Sequence, residues 1–437
     1  MARVTLRSMG MANGPLMLSD AEQQMLAGER GEAVAIAMRV IVALASAGGT
    51  ESLIEIESAH IDGCLYHGPV GLDFAEKLAT AGGGVAVPTT LNVSALDLLH
   101  PELIRLDDET RDRARRLMEA YVQMGCEPTW TCAPYQLPDR PKRGAQIAWA
   151  ESNAIVFANS VLGARTSRYG DFTDICAALT GRVPNAGLHR DENRRARIVF
   201  RLDSLGADVP VSDELFGLIG IIVGTESGSL VPAIVGLPAE TTEDQLKELG
   251  AAAASSGATA MFHAVGITPE APTLAAALGS LEPESVIEIT SARLRAAWES
   301  LSTTDGHGVL NAVSVGTPHF SLEQLRELSR LLDGRAVHPS VEMYASTSRH
   351  TLAALQSDGS ADDLQEAGVT VVADTCTYVT PVLRAPRGST VMTDSAKWAW
   401  YAPGNLGVDV VYGSLADCVQ SAVAGKVVRT PPVELDG

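Results

Sequence analysis

Apolar positions along the chain fall into short runs of about strand length, separated by longer periodic segments. Residues 53–57, 82–92, 195–202, 231–235, 259–265, 311–315, 341–346 and 369–373 read as strands, and 215–223 is a further apolar run of strand length. Between them, apolar spacing predicts helices at 32–45, 110–124, 172–179, 322–332, 351–356 and 415–424. Residues 285–301 read as a strand followed by a helix, and 182–189 as loop. Ser19 with Glu22, and Ser321 with Gln324, fit the capping box, in which the N-cap and N3 residues satisfy each other's backbone donors. Strands alternating with helices throughout predict an α/β architecture with largely parallel sheets.

Polar residues interrupt this pattern in a few places. In residues 126–170, Cys126 and Cys132 sit in a turn-rich stretch. Glu151, Ser152, Asn153, Asn159, Ser160, Arg165 and Thr166 follow, set among small apolar neighbours. A buried polar group without a partner costs about 1–3 kcal/mol, so such a run is expected to line a site. Residues 58–68 carry His60, Asp62, Cys64 and His67 in a glycine-flanked loop after a strand, where α/β proteins place ligand contacts. The same residues would serve equally as a polar loop with one buried cysteine. The strand at 82–92 empties into Asn92, 311–315 ends at Gly316-Thr317-Pro318-His319, and 369–373 delivers Asp374-Thr375-Cys376-Thr377. Cys132 and Cys376 are each presented from a loop, whereas Cys176 and Cys418 fall on predicted helices as core thiols. His263, inside an apolar run, is expected to be a satisfied core histidine.

With 437 residues the chain is too long for one simple core. It divides into three α/β parts: 1–205 with the Cys64 and Cys132 loops, 206–305, and 306–437 with the Cys376 loop. A net charge of −20 argues against nucleic acid or an anionic membrane as partner. Six irregularly spaced cysteines do not make a disulfide framework. The N-terminus lacks a continuous apolar secretory core and no run reaches membrane-span length, so a reducing cytoplasm is expected. There is no C-x-x-C, H-E-x-x-H, G-K-[ST] loop, G-x-S-x-G or dinucleotide fingerprint. The residues alone therefore point to an α/β enzyme with a candidate thiolate metal site.

An ordered set of segments carries a resemblance. These are Gly125-Cys126 to Tyr135, Ile147-Ala148-Trp149-Ala150-Glu151-Ser152-Asn153-Ala154, Ala158-Asn159-Ser160-Val161-Leu162-Gly163-Ala164-Arg165-Thr166, Gly316-Thr317-Pro318-His319, Asp374-Thr375-Cys376-Thr377 and Asp394-Ser395-Ala396-Lys397. Together they resemble the aconitase X family, specifically its large subunit, over nearly the full length. The resemblance implies an aconitase-like multi-domain fold lacking the small swivelling domain, which would be a separate small subunit supplying a serine base. It implies a hydro-lyase with an iron–sulfur cluster ([2Fe-2S] or [4Fe-4S]) or a mononuclear iron.

Family members acting on phosphorylated mevalonate are expected to carry a cysteine where this chain has Thr317, so the third ligand is expected from Cys64, or else Cys126, beside Cys132 and Cys376. Lys397, Arg165 and Glu151 are the expected catalytic residues, Lys397 or Arg165 holding the substrate carboxylate. Gly63, Cys64, Leu65, Asn92, Val93, Ser152 and Lys397 are the expected substrate contacts. The resemblance favours dehydration of cis-3-hydroxy-L-proline to Δ1-pyrroline-2-carboxylate. The alternatives are phosphomevalonate or another small hydroxy acid, and a non-catalytic iron-binding relative.

Overall fold

The computed structural model describes residues 16–205, 212–279, 281–306, 309–385 and 387–431. Three parallel sheets organise it. One is three-stranded, in the order Thr89–Leu91, Ser58–Ile61, Ile147–Trp149. The second is four-stranded, in the order His263–Ala264, Pro232–Val235, Ile198–Arg201, Ser285–Glu288. The third is five-stranded, in the order Val369–Val372, Glu342–Thr347, Leu310–Phe320, Thr390–Thr393, Asp409–Tyr412. Strands buried on both faces by helices form near-continuous apolar runs, as the sequence has here. The α/β expectation with largely parallel sheets is met.

Both predicted capping boxes are present, at Ser19 with Glu22 and at Ser321 with Gln324. The first starts the helix Asp20–Ala27 and the second Leu322–Leu332, whose apolar face packs under the five-stranded sheet through Leu325, Leu328 and Leu332. Cys176 and Cys418 lie fully buried on the helices Thr173–Thr180 and Leu415–Ala424, as expected.

Several elements differ from the sequence pattern. The apolar run at 215–223 is the inside of a helix, Asp213–Ser227, capped by Ser212. Its side chains are buried all round, so they show no helical stripe, and a short apolar run cannot by itself distinguish strand from buried helix. The helix packs on Glu243–Ser256 through glycines: a Cβ at Gly220 would stand 2.4 Å from the Leu249 carbonyl oxygen, and one at Gly224 2.5 Å from that of Ala253. In 82–92 only Thr89–Leu91 is strand. At 182–189, Arg182–Pro184 pairs antiparallel with Leu53–Glu55 rather than remaining loop.

The strand expected at 311–315 runs on to Phe320 and so carries the whole 316–319 segment. Gly316 makes this possible. It has φ +86°, and a Cβ there would fall 2.4 Å from the Ser346 carbonyl oxygen on the neighbouring strand. The register shifts between Val315 and Phe320, and this irregularity places Thr317 and His319 at the sheet's carboxyl end.

Candidate active site

The crevice beyond the carboxyl ends of parallel strands is where open α/β sheets collect ligand-binding loops. Here two sheets share one such crevice. Ser58–Ile61 runs into Asp62 and Leu65, Thr89–Leu91 into Asn92 and Val93, and Ile147–Trp149 into Ala150, Glu151 and Ser152. From the five-stranded sheet, Val369–Val372 runs into the Cys376–Tyr378 loop, and Thr390–Thr393 into the helix Ala396–Leu406 that holds Lys397. A cavity of about 510 Å³ lies between them, completed by His67, Cys132, Arg168, Tyr378, Tyr401 and Asn405.

Buried carboxylates hold these loops in register. Asp174 accepts from the backbone N–H groups of Asp62 (2.8 Å), Gly63 (3.0 Å) and Ile175 (2.6 Å), which fixes the turn after Ser58–Ile61. Asp97 Oδ2 accepts from the Ala373 N–H at 2.9 Å. In return, Asp374 accepts from the Leu98 N–H at 3.0 Å and pairs with Arg349. Asp374 sits in the left-handed region, φ 60°, which Asp tolerates better than most residues. This reciprocal exchange fastens the 94–98 segment to the Cys376 loop. A charge-assisted hydrogen bond of this kind contributes about 1.5–3 kcal/mol.

The loops so fixed bring three soft or borderline donors together. Cys132 Sγ, Cys376 Sγ and a ring nitrogen of His319 all lie within 4.8 Å of one another, the two sulfurs 3.9 Å apart. The His319 backbone N–H donates to Cys132 Sγ at 3.3 Å. His319 Nε2 lies 3.1 Å from the Thr375 carbonyl oxygen, so it carries the proton, and Nδ1 faces the Thr131 hydroxyl at 3.1 Å. Burial lowers the His319 ring to about 4, leaving it neutral, the form that binds a metal. The Thr317 hydroxyl oxygen, two residues before His319, is buried with no partner among the described residues. Two thiols with a neutral imidazole suit iron or an iron–sulfur centre, and an unpartnered buried oxygen at the same strand end leaves polar capacity for a bound group.

Glu151 and Lys397 form the polar wall. Glu151 is the N-cap of the helix Ser152–Phe157: its Oε2 accepts from the Ala154 N–H at 2.8 Å and from Asn153, and Ser152 Oγ donates to Oε1 at 3.3 Å. Lys397 Nζ donates to Glu151 Oε1 at 2.5 Å. Asn153 also donates to the Cys132 carbonyl at 2.9 Å and accepts from Tyr135 OH at 2.6 Å, tying the acid to the thiol loop. Burial would lower the Lys397 ammonium, but Glu151, with Tyr378 and Cys132, carries it well above its ordinary value. Asp62 is pushed up from the usual carboxylate range to about 7, by burial first and then by Glu151 and Asp171. It faces Asn92, whose amide donates to it.

The residues singled out from sequence separate into two groups. Glu151, Ser152, Lys397, Leu65, Asn92, Val93 and Cys132 line one cavity, with Cys376 buried against Cys132. Gly63 faces a neighbouring cavity with Pro69, Val70 and Phe172. Two assignments are corrected. Arg165 points away, bonded to the His189 carbonyl and Asp191 in a separate pocket, while Arg168 three residues on lines the site. Cys64 does not join Cys132 and Cys376. Its thiol lies against the carbonyls of Ile61 (3.4 Å) and Asn92 (3.3 Å), and burial together with Asp62, Asp174 and Cys126 pushes its pKa far up. Cys126 is buried in the same region and is likewise outside the donor group. His319 is the third donor the sequence reading passed over, although it stood in the quoted 316–319 segment. Asp62 was named only as part of the polar loop at 58–68, and Arg168 lies in the 126–170 stretch without having been singled out; Tyr378 and Tyr401 carried no sequence signal.

Comparison with known proteins places this geometry. Residues 15–192 match the aconitase X first domain, 196–299 the second and 310–424 the third. The chain is 44% identical over 407 residues to a cis-3-hydroxy-L-proline dehydratase of Pseudomonas aeruginosa, covering 93% of this chain and 70% of that protein. It is 42% identical over 410 residues to one from Hypocrea jecorina, covering 93% and 69%. A phosphomevalonate dehydratase large subunit from Methanothermobacter thermautotrophicus is 38% identical over 402 residues, covering 91% and 97%. The crystal structure of Thermococcus kodakaraensis aconitase X, in its holo-form, superposes with a TM-score of 0.83 at 32% identity, covering 93% of this chain and all of that one. Its relatives are dehydratases and so hydro-lyases, and the chain belongs to the aconitase X family.

Proposed function

We propose that this chain dehydrates cis-3-hydroxy-L-proline, as the large subunit of an enzyme completed by a small subunit. The observation that carries the substrate class is the charge balance of the cavity. Lys397 is matched by Glu151, which leaves Arg168 as the cation for a substrate anion and Asp62 as a further acid. Tyr378, whose ring lies 5.9 Å from Lys397 Nζ, stacks on Tyr401 at 5.7 Å and 19°, an aromatic wall suited to a saturated ring bearing an ammonium. One guanidinium, acidic groups and an aromatic wall suit a zwitterionic amino acid. A phosphorylated hydroxy acid would bring more negative charge than the wall neutralises. The higher identity to the two hydroxyproline dehydratases supports the same choice.

Dehydration removes the hydroxyl from C3 and the proton from C2, leaving a C2–C3 double bond and water; the enamine then tautomerises to Δ1-pyrroline-2-carboxylate. Arg168 holds the carboxylate, and the two tyrosines orient the ring. The Glu151–Lys397 pair keeps a fixed charge distribution at the reacting carbons. Cys132, Cys376 and His319 would hold an iron or iron–sulfur centre, which supplies Lewis-acid assistance to loss of the hydroxyl. Asp62, poised near neutrality, holds or releases a proton at the site's edge. The base for C2 comes from the small subunit's serine, and the six free thiols suit a reducing cytoplasm.

The test is turnover by the chain with its small subunit, assayed by formation of Δ1-pyrroline-2-carboxylate. Turnover supports the reading, and conversion of phosphomevalonate alone overturns it.

A further inference from the structure

Outside the active site, one pocket gathers cations in a chain whose net charge is −20. It measures about 320 Å³ and lies where the first family domain meets the second: Arg143, Gly144, Gly163 and Arg165 come from one side, His263 and Glu270 from the other. Arg194 and Arg195 lie in the connection between the two matched segments and also line it. Two of the four guanidiniums are committed. Arg194 is 2% exposed and bonded to Glu270 and to the carbonyls of Leu188, Asn159 and Ala164. Arg165 pairs with Asp191, whose side chain is 79% exposed and easily displaced. Arg143 and Arg195 are exposed and make no ion pair with any described residue.

The floor adds a second, independent feature. His263 is 2% exposed; its Nε2 lies 2.7 Å from the Arg194 carbonyl oxygen and so donates to it. That tautomer leaves Nδ1 as an acceptor, and Nδ1 has no partner among the described residues. The core histidine expected from the sequence is thus only half satisfied. A buried nitrogen without a partner costs folding free energy unless something meets it.

The geometry points to a second binding site in this pocket, for a small anion that also carries a hydroxyl: the charge is held by Arg143, Arg195 and Arg165, and the hydroxyl donates to His263 Nδ1. Guanidiniums grip phosphate or carboxylate oxygens in pairs, and an acceptor beside them selects anions that keep a proton. Arg165 is joined by two residues to Arg168 in the active site, so an occupant here bears on the same segment that lines the catalytic cavity.

Inorganic phosphate, which keeps a P–OH at neutral pH, and sulfate, which has no O–H, are the matched probes. Calorimetric titration of the whole chain at fixed ionic strength should show one phosphate site, with sulfate weaker by at least about tenfold. Arg143→Ala with Arg195→Ala, two exposed and unpaired positions, should weaken phosphate by at least about tenfold while the circular dichroism spectrum is unchanged. Absence of phosphate binding, or binding that the double variant leaves intact, overturns the site. Equal affinity for sulfate overturns the role of His263.

Discussion

Lys397 Nζ lies 2.5 Å from Glu151 Oε1 across 246 positions of sequence, and both side chains are almost wholly buried, at 2% and 6% exposure. The pair joins the three-stranded sheet to the helix beside the five-stranded one, so it serves both the shape of the cavity and its charge. Removing one member leaves the other charged and unpaired in a buried site, at a cost of about 3–5 kcal/mol. Lys397→Met and Glu151→Gln should each lower the denaturation midpoint and abolish most turnover. The double variant should lose less stability than the two single losses added together. Additive losses in urea titrations would show that the two residues act separately.

The metal ligands are predicted from the Cys132–His319–Cys376 group. Cys132→Ser, Cys376→Ser and His319→Ala should each lose bound iron and its visible absorption. Cys64→Ser, Cys176→Ser and Cys418→Ser should keep both, because those thiols are buried away from the group. Elemental analysis after anaerobic preparation reads the result, and iron loss in Cys64→Ser would return that residue to the ligand set.

Asp62 makes a pH prediction. Its folded value of about 7 lies above its ordinary 3.8, so the folded state holds the proton more tightly than the unfolded chain. The associated stability is fully present below about pH 4 and is lost as pH rises through about 7. Asp174, Asp394 and Glu214 are raised in the same direction, so the wild-type curve alone does not isolate Asp62. Asp62→Asn keeps an acceptor for the Asn92 amide and cannot ionise. The melting temperature of the variant should gain on wild type from about pH 4 to pH 7 and level off above it. A difference independent of pH would show that Asp62 does not titrate in this range.

Arg168 and Arg165 separate by kinetics. Arg168→Ala should raise KM for the amino-acid substrate by at least about tenfold, since one charge-assisted contact to a carboxylate is lost. Arg165→Ala, in the other pocket, should leave KM near wild type. The opposite pattern in steady-state assays would place the substrate carboxylate at Arg165.

Much of this arrangement was legible because parallel strands deliver their next residues to one edge. Asn92 and Cys376 each follow an apolar run, so finding the run located the residue; Glu151 stood out instead as a polar residue among small apolar neighbours, and the strand Ile147–Trp149 before it went unread. What was lost has physical causes. Arg165 and Arg168 stand on the same extended segment, and only the pairing of Arg165 with Asp191 shows which one turns outward. Cys64 follows a strand just as Asn92 does, but its short side chain turns back onto the carbonyls of Ile61 and Asn92. His319 was hidden because the register shift after Gly316 extends a strand that the apolar pattern ended at Val315. The helix Asp213–Ser227 read as a strand-length run because it is buried on every side against glycine-mediated contacts.

The most direct test of the central claim is a competition between substrates. The metal-loaded chain with its small subunit should convert cis-3-hydroxy-L-proline with a kcat/KM at least about a hundredfold above that for phosphomevalonate. A kcat/KM for phosphomevalonate equal to or above that for cis-3-hydroxy-L-proline would contradict the account.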